Sequence, residues 1–147
     1  MVPDLLVRTV LAWSLVFAAQ AVSGPRPLEG TYWKAIELAG KPVAAKESIR
    51  DIYLMLQELG RVYGSDGCNR VAGAFERKNT YIRFSEMAAT RMACIDAGDI
   101  DAVFRDALKS ARRLHVEGDR LELFDSKNRR VALFAAATSH PADPGQR

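Results

Sequence analysis

The stretch GSDGCNRVAGAF, residues 64–75, decides how we interpret this chain, because it places residues of unusual conformational freedom between two strand-like runs. Gly64, Gly67 and Asn69 tolerate positive φ angles, which few other residues adopt without strain. The stretch therefore predicts a tight, irregular connection between two strands, with Cys68 inside it.

A second stretch, MAATRMAC at residues 87–94, ends in another cysteine, Cys94. If Cys68 and Cys94 form a bond, the two stretches lie side by side. Four polar residues would then form one cluster: Asn69, Arg70, Thr90 and Arg91. We interpret this cluster as a hydrogen-bond network that shapes the loops, and a ligand site is the alternative.

The first 23 residues, MVPDLLVRTVLAWSLVFAAQAVS, have the pattern of a cleavable secretory signal. Arg8 gives a positive start, an apolar run follows, and small residues allow cleavage after Ala21 or after Ser23. A membrane anchor is the alternative, but a spanning helix needs about 20 apolar residues and this run is shorter. No cysteine stands at the cleavage position after the run, so we expect a soluble periplasmic or secreted protein without a lipid anchor.

Cys68 and Cys94 are the two cysteines of the chain. In an exported protein, a single pair most often forms a disulfide. Closing a loop of this length stabilises a fold by roughly 3 to 4 kcal/mol. Three alternatives stay open: two buried free thiols, a nucleophilic Cys68 with His115 as its base, and a metal site. The spacing of the cysteines matches no zinc pattern, so we expect no metal. We also expect no cofactor and no catalytic residue.

Short strand-like runs separated by turn residues, with one helix among them, predict an α+β domain whose antiparallel sheet curls towards a barrel. The predicted strands are 31–38, 52–57, 61–63, 72–77, 81–84, 113–117, 120–124 and 130–134. Apolar residues recur at helical spacing at Ile100, Val103, Phe104, Ala107 and Leu108, which predicts an amphipathic helix packed on the sheet. Asp96 or Asp99 is placed to cap its start.

The composition argues against nucleic-acid binding and gives no catalytic motif. The formal net charge is +3, and basic residues alternate with acidic ones instead of forming a basic face. The sequence contains no nucleophile-elbow, phosphate-loop or zinc-protease motif. A histidine in a predicted strand, such as His115, is more often structural or exposed than catalytic.

Several groups of residues form a specific pattern: GCNR at 67–70 with Gly73 and Phe75, Ile82 and Phe84, and then MA at 87–88 with TRMAC at 90–94. The opening contributes Leu28, Gly30, Thr31, Trp33, Leu38, Gly40, Pro42 and Val43, and the helix contributes Phe104, Ala107 and Leu108. This pattern resembles the META domain family, which includes the heat-shock-inducible HslJ-like proteins of the bacterial envelope. The resemblance runs from about Leu28 to Phe134.

The resemblance implies a fold similar to the cracked, or partly open, barrel of type III secretion pilotins, with one packed helix. It implies an envelope setting and links to heat or drug stress, without an established enzymatic activity. It singles out a loop cluster of seven residues: Gly67, Asn69, Arg70, Gly73, Thr90, Arg91 and Met92. Two departures are the missing lipid-accepting cysteine and Asp101, where relatives often have Glu.

We therefore divide the chain into a signal peptide (1–23), a leader (24–27), a META-like domain (28–135) and a disordered tail (136–147). We expect a monomeric, non-catalytic module that binds an apolar ligand or an envelope protein, does not bind nucleic acid and has no transmembrane span after processing. The alternative is a thiol-based redox sensor or enzyme using Cys68 and Cys94, in which Arg70 and Arg91 favour a thiolate.

Overall fold

The computed structural model describes residues 24–44, 50–95 and 98–137. The predicted signal peptide lies outside the described residues, as does the predicted tail from residue 138 onward. The final strand continues to Ala137 and so extends two residues beyond the predicted domain end at residue 135.

Nine strands and one α-helix make up the described chain. The strands are β1 (Tyr32–Leu38), β2 (Lys41–Pro42), β3 (Ile52–Gln57), β4 (Arg61–Asp66), β5 (Arg70–Lys78), β6 (Tyr81–Ala89), β7 (Arg113–Glu117), β8 (Arg120–Phe124) and β9 (Arg130–Ala137). The helix α1 spans Ile100–Ser110, and one 3₁₀ turn at Glu58–Gly60 joins β3 to β4. The α+β class and the amphipathic helix are confirmed.

Eight of these strands form a closed antiparallel barrel, in the order β1-β3-β4-β5-β6-β7-β8-β9, and β2 is added outside β1. Pairing between β1 and β9 closes the ring, from Tyr32 opposite Ala137 to Leu38 opposite Ala132. The expectation of a cracked or partly open barrel was therefore wrong. The barrel closes because β9 is longer than predicted. The alanines after Phe134 continue the strand and pair with the start of β1.

The pairing between β6 and β7 is much shorter than the others. Among the described residues, Tyr81 opposite Arg113 is the single paired position of these two strands. Two backbone hydrogen bonds flank it, from Ile82 N to Arg112 O at 3.1 Å and from Leu114 N to Thr80 O at 2.8 Å. The two strands are strongly staggered, so most of each lies beyond the end of the other.

The barrel interior and the helix form one hydrophobic core. Inward and outward positions alternate along β3, as expected for a strand with one face on a core. Trp33, Phe134 and Phe104 of α1 are fully buried in this core. The helix packs against β1 and β9 as well as β4 and β6, which lie on different sides of the ring, so it lies across the ring.

The two ends of the helix differ in the side-chain hydrogen bonds that they receive. Asp99 is at the N-cap position, but its side chain makes no capping hydrogen bond. At the other end, Arg112 Nη1 donates to the carbonyls of Lys109 at 2.9 Å and Ala111 at 2.7 Å, as suits a cation beside the negative end of a helix.

Within the described ranges, no helix has the length and apolarity that crossing a membrane requires.

Candidate functional site

The irregular connection between β4 and β5 consists of residues 67–69 and is organised by Asp66. Asp66 is fully buried, and its Oδ1 accepts the backbone N–H of Cys68 at 3.0 Å and that of Asn69 at 2.6 Å. Gly67 has φ +94°, as the sequence predicted, and a Cβ there would lie 3.1 Å from Ile52 Cγ1. Gly64 and Asn69, which also tolerate positive φ, do not adopt it. Gly64 lies within β4 and has the extended backbone of a strand.

Asn69 links this connection to the segment that follows β6. Its Oδ1 accepts the hydroxyl of Thr90 at 3.1 Å and the backbone N–H of Met92 at 2.7 Å. The Thr90 hydroxyl also accepts the N–H of Arg70 at 3.1 Å, and Thr90 N donates to Arg70 O at 3.0 Å. These bonds join two loops that are 20 residues or more apart in sequence, and we call the set formed by Asp66, Asn69, Arg70, Thr90 and Met92 the loop latch.

A disulfide between Cys68 and Cys94 lies beside the loop latch, with a Cα–Cα distance of 5.8 Å. Cys68 is buried and Cys94 is half-buried, and no free cysteine occurs in the described chain. His115, the base in the alternative with a nucleophilic Cys68, is exposed on β7, where its Nε2 lies 3.6 Å from Glu117 Oε2. The expected disulfide is thus present.

Gly73 lies against a bulge in β6 that leaves no room for a side chain. The register of β5 and β6 shifts between Ala72 and Ala74. A Cβ on Gly73 would lie 2.5 Å from Met87 Sδ and 2.9 Å from the carbonyl oxygen of Ser85. Any larger residue would push the bulge away, so Gly73 permits the close approach of the two strands.

The structure brings together most of the predicted cluster, through both side-chain and backbone atoms. Asn69 and Thr90 contribute side chains, whereas Arg70 and Met92 contribute backbone groups. In the described part of the chain, the exposed side chain of Arg91 takes no part in these bonds. Asp66 was not among the predicted site residues, although its position two residues before Cys68 fits an Asx turn.

A surface groove of about 660 Å³ adjoins the loop latch on the outer face of the barrel. Outward residues of β3 and β4 form one wall, and small residues of β5 and β6 form the floor. The wall contains Tyr53, Met55 and Tyr63, the floor contains Ala72 and Ala88, and Arg70 and Thr90 lie at the end nearest the latch. We call this the motif groove, and sequence reasoning missed it because its residues come from four separate strands.

Aromatic contacts hold the groove wall in place. Tyr53 stacks on Tyr32 with ring centroids 4.4 Å apart. The Arg61 guanidinium lies 5.8 Å from the centroid of Tyr63 and its Nη2 donates to the Tyr63 hydroxyl at 3.2 Å. Burial, and then the nearby Asp51 carboxylate, raise the pKa of Tyr32 well above its usual value, so this phenol stays protonated.

The described residues contain no group of three histidine, cysteine, aspartate or glutamate side chains that could hold a metal ion. The lining of the motif groove offers contact with aromatic and aliphatic surface, together with one cationic group and several hydrogen-bonding groups.

Comparison with known proteins places this arrangement in a family. The chain matches the META domain model over residues 26–138. Similar solved structures include an NMR structure of a protein from Burkholderia xenovorans (26% identity, TM-score 0.62, 76% of this chain and 85% of the other). They also include another protein solved by NMR (22% identity, TM-score 0.59, 74% and 90%).

A third similar structure is the crystal structure of a DUF4847 family protein from Bacteroides vulgatus, at 13% identity and a TM-score of 0.57, covering 77% of this chain and 96% of the other. At these identities the shared feature is the fold. A search of the curated proteins finds no match. The family match covers most of the chain, including both motif stretches, and so the chain belongs to the META domain family.

Proposed function

We propose that this META domain is a non-catalytic binding module of the cell envelope, and that the motif groove binds an apolar ligand carrying an acidic group. The observation that supports this most directly is that two residues of the family motif, Asn69 and Thr90, shape one end of the groove. Asn69 and Thr90 direct their side-chain hydrogen bonds at each other and at backbone groups, so they shape the end of the groove.

The character of the ligand follows from the lining. Tyr53, Met55 and Tyr63 provide aromatic and aliphatic surface, and the alanine floor leaves room for an apolar body. The described lining residues include the cation Arg70 and no carboxylate. An anionic head at the Arg70 end therefore has favourable electrostatics, and a cationic head does not.

The envelope setting is part of the same proposal and rests on the pattern of residues 1–23 and on the resemblance to HslJ-like proteins. The proposed link to envelope stress rests on that resemblance alone. Mass spectrometry of the protein purified from the producing cell tests the export. We expect a mature N-terminus at Val22 or Gly24, following cleavage after Ala21 or Ser23. A chain that retains Met1 would contradict it.

Calorimetric titration with dodecanoate tests the groove. Ala88 is exposed on the groove floor, so Ala88→Leu fills the groove without entering the core. We expect Ala88→Leu to weaken dodecanoate binding by about tenfold or more, the effect of roughly 1.4 kcal/mol. Ala102→Leu is the matched control, because Ala102 is exposed on α1 away from the groove and should bind as the unmodified chain does.

Dodecyltrimethylammonium has the same chain length with the opposite charge, and we expect weaker binding of this probe. Equal affinities for the two amphiphiles, or equal effects of Ala88→Leu and Ala102→Leu, would contradict the proposed site. The absence of any measurable dodecanoate binding would contradict it as well.

A further inference from the structure

The stagger between β6 and β7 leaves part of the β7 edge without a neighbouring strand. Leu114 N donates to Thr80 O, so Leu114 directs its backbone groups towards β6. Backbone groups of a strand alternate in direction, so Val116 faces the same side. In the described chain β6 has no residue opposite Val116, because its pairing with β7 is confined to Tyr81 and Arg113.

Gly118 is the next residue whose backbone groups face this edge, and it is already bonded to the segment before β1. Gly118 O accepts the backbone N–H of Arg26 at 2.8 Å. Arg26 lies between Pro25 and Pro27, which have no N–H to donate. The edge is thus occupied at Leu114 and at Gly118, and the four residue steps between these points span about 13 Å of strand.

A cleft of about 670 Å³ occupies this interval, and we call it the edge slot. Its lining includes the buried side chains of Leu28 and Leu114 and the half-buried Val116. Its ionised lining residues are Arg26, Arg77 and Glu29. Two arginines therefore face one carboxylate, which favours an acidic occupant.

We propose that the edge slot binds a short, extended peptide segment with acidic side chains, which adds to β7 as a strand at Val116. Main-chain hydrogen bonds to Val116 supply the register, as in other cases of strand addition to a sheet edge. Alternate side chains of the peptide contact the apolar lining, and the others, with their carboxylates, face Arg26 and Arg77. The chain's own Arg26 makes the same kind of main-chain hydrogen bond with Gly118, two residues beyond Val116. This bond shows that the edge accepts another segment of chain.

This site is separate from the motif groove, because the two clefts share no lining residue in the described chain. The proposal therefore stands or falls independently of amphiphile binding.

Amide hydrogen exchange on ¹⁵N-labelled protein tests the proposal, with a capped hexapeptide of alternating valine and glutamate as the probe. We expect saturating peptide to slow the exchange of the Val116 amide, because a new acceptor then covers it. A peptide of alternating valine and lysine, and a valine–glutamate peptide N-methylated at alternate residues, should each bind about tenfold more weakly.

Variants of the protein provide the matching comparison. Arg77→Glu should weaken binding of the valine–glutamate peptide and strengthen binding of the lysine peptide, whereas Lys41→Glu, exposed in β2 outside the slot, should change neither. Val116→Pro removes the edge donor, and the N-methylated peptide tests the same bond on the unmodified chain if that variant does not fold.

Three outcomes would overturn the proposal: unchanged exchange at Val116 with saturating peptide, equal binding of the N-methylated peptide, or equal binding of the lysine peptide. Perturbation by dodecanoate at the edge slot, with none by the peptide, would assign the slot to an amphiphile and overturn it too.

Discussion

At the scale of single residues, Asn69 joins the two loops through one side-chain atom. One oxygen atom of its side chain accepts hydrogen bonds from Thr90 and from Met92, which follow another strand. The sequence indicated the neighbourhood of these residues through the two cysteines, but not which atoms meet. Asp66 was missed because an aspartate in a glycine-rich loop ordinarily reads as a solvated turn residue, and burial is not visible in sequence.

Asn69→Ala should destabilise the protein by about 1–3 kcal/mol, because it removes the acceptor of two hydrogen bonds at a buried position. Urea unfolding followed by circular dichroism measures the change. Thr90→Ser keeps the hydroxyl and serves as the control, with a stability close to that of the unmodified chain. An Asn69→Ala protein of unchanged stability would show that the loop latch does not hold the two loops.

At the scale of elements, the sequence predicted those strands in which apolar and polar residues alternate. β3, β7 and β8 begin and end where expected. β4 and β6 extend further than predicted, because GSD at 64–66 and SEMAA at 85–89 are small or polar and have low strand propensity. Pairing with neighbouring strands, which no local pattern reports, keeps these residues in the sheet.

The turn between β8 and β9 depends on an ionised carboxylate. Asp125 is buried and its Oδ1 accepts the N–H groups of Arg129 and Lys127, each at 2.9 Å, while Arg129 Nε donates to its Oδ2 at 2.8 Å. The backbone hydrogen bond from Arg129, followed by its side chain and by Lys127, lowers the pKa of Asp125. The folded state therefore favours the carboxylate.

Because the folded pKa lies below the unfolded value of about 3.9, this stabilisation is complete above that value and is lost as the pH falls through the folded pKa. We expect Asp125→Asn to reduce the loss of stability between pH 6 and pH 3, measured by urea unfolding. Asp119→Asn, at an exposed turn position, is the control and should keep the original dependence. Identical pH dependence in the Asp125→Asn protein and the unmodified chain would contradict this role.

At the scale of the whole molecule, barrel closure could not be read from the sequence. Closure requires β9 to reach the start of β1, and the decisive residues are three alanines whose strand propensity is poor. The motif groove and the edge slot were equally hidden, since the groove is assembled from four neighbouring strands and the slot from three segments far apart in the chain. What the sequence did show was the fold class, the helix, the cysteine pair and the family.

The disulfide distinguishes the two functional hypotheses for the whole protein. Cys68→Ser combined with Cys94→Ser should lower the free energy of unfolding by about 2–5 kcal/mol, the usual effect of removing a native disulfide from a small domain. A folded double variant should still bind dodecanoate, because the cysteines do not line the motif groove. Loss of function in a folded variant with intact binding would instead favour thiol chemistry.

Amide chemical-shift mapping of ¹⁵N-labelled protein with dodecanoate tests the central proposal most directly. We expect the largest changes on the groove floor and beside the loop latch, at residues 70–72 and 88–90, with no matching change on the exposed face of α1. Changes that are largest at residues outside the motif groove, or no changes at saturating dodecanoate, would contradict the assignment of this groove as the binding site.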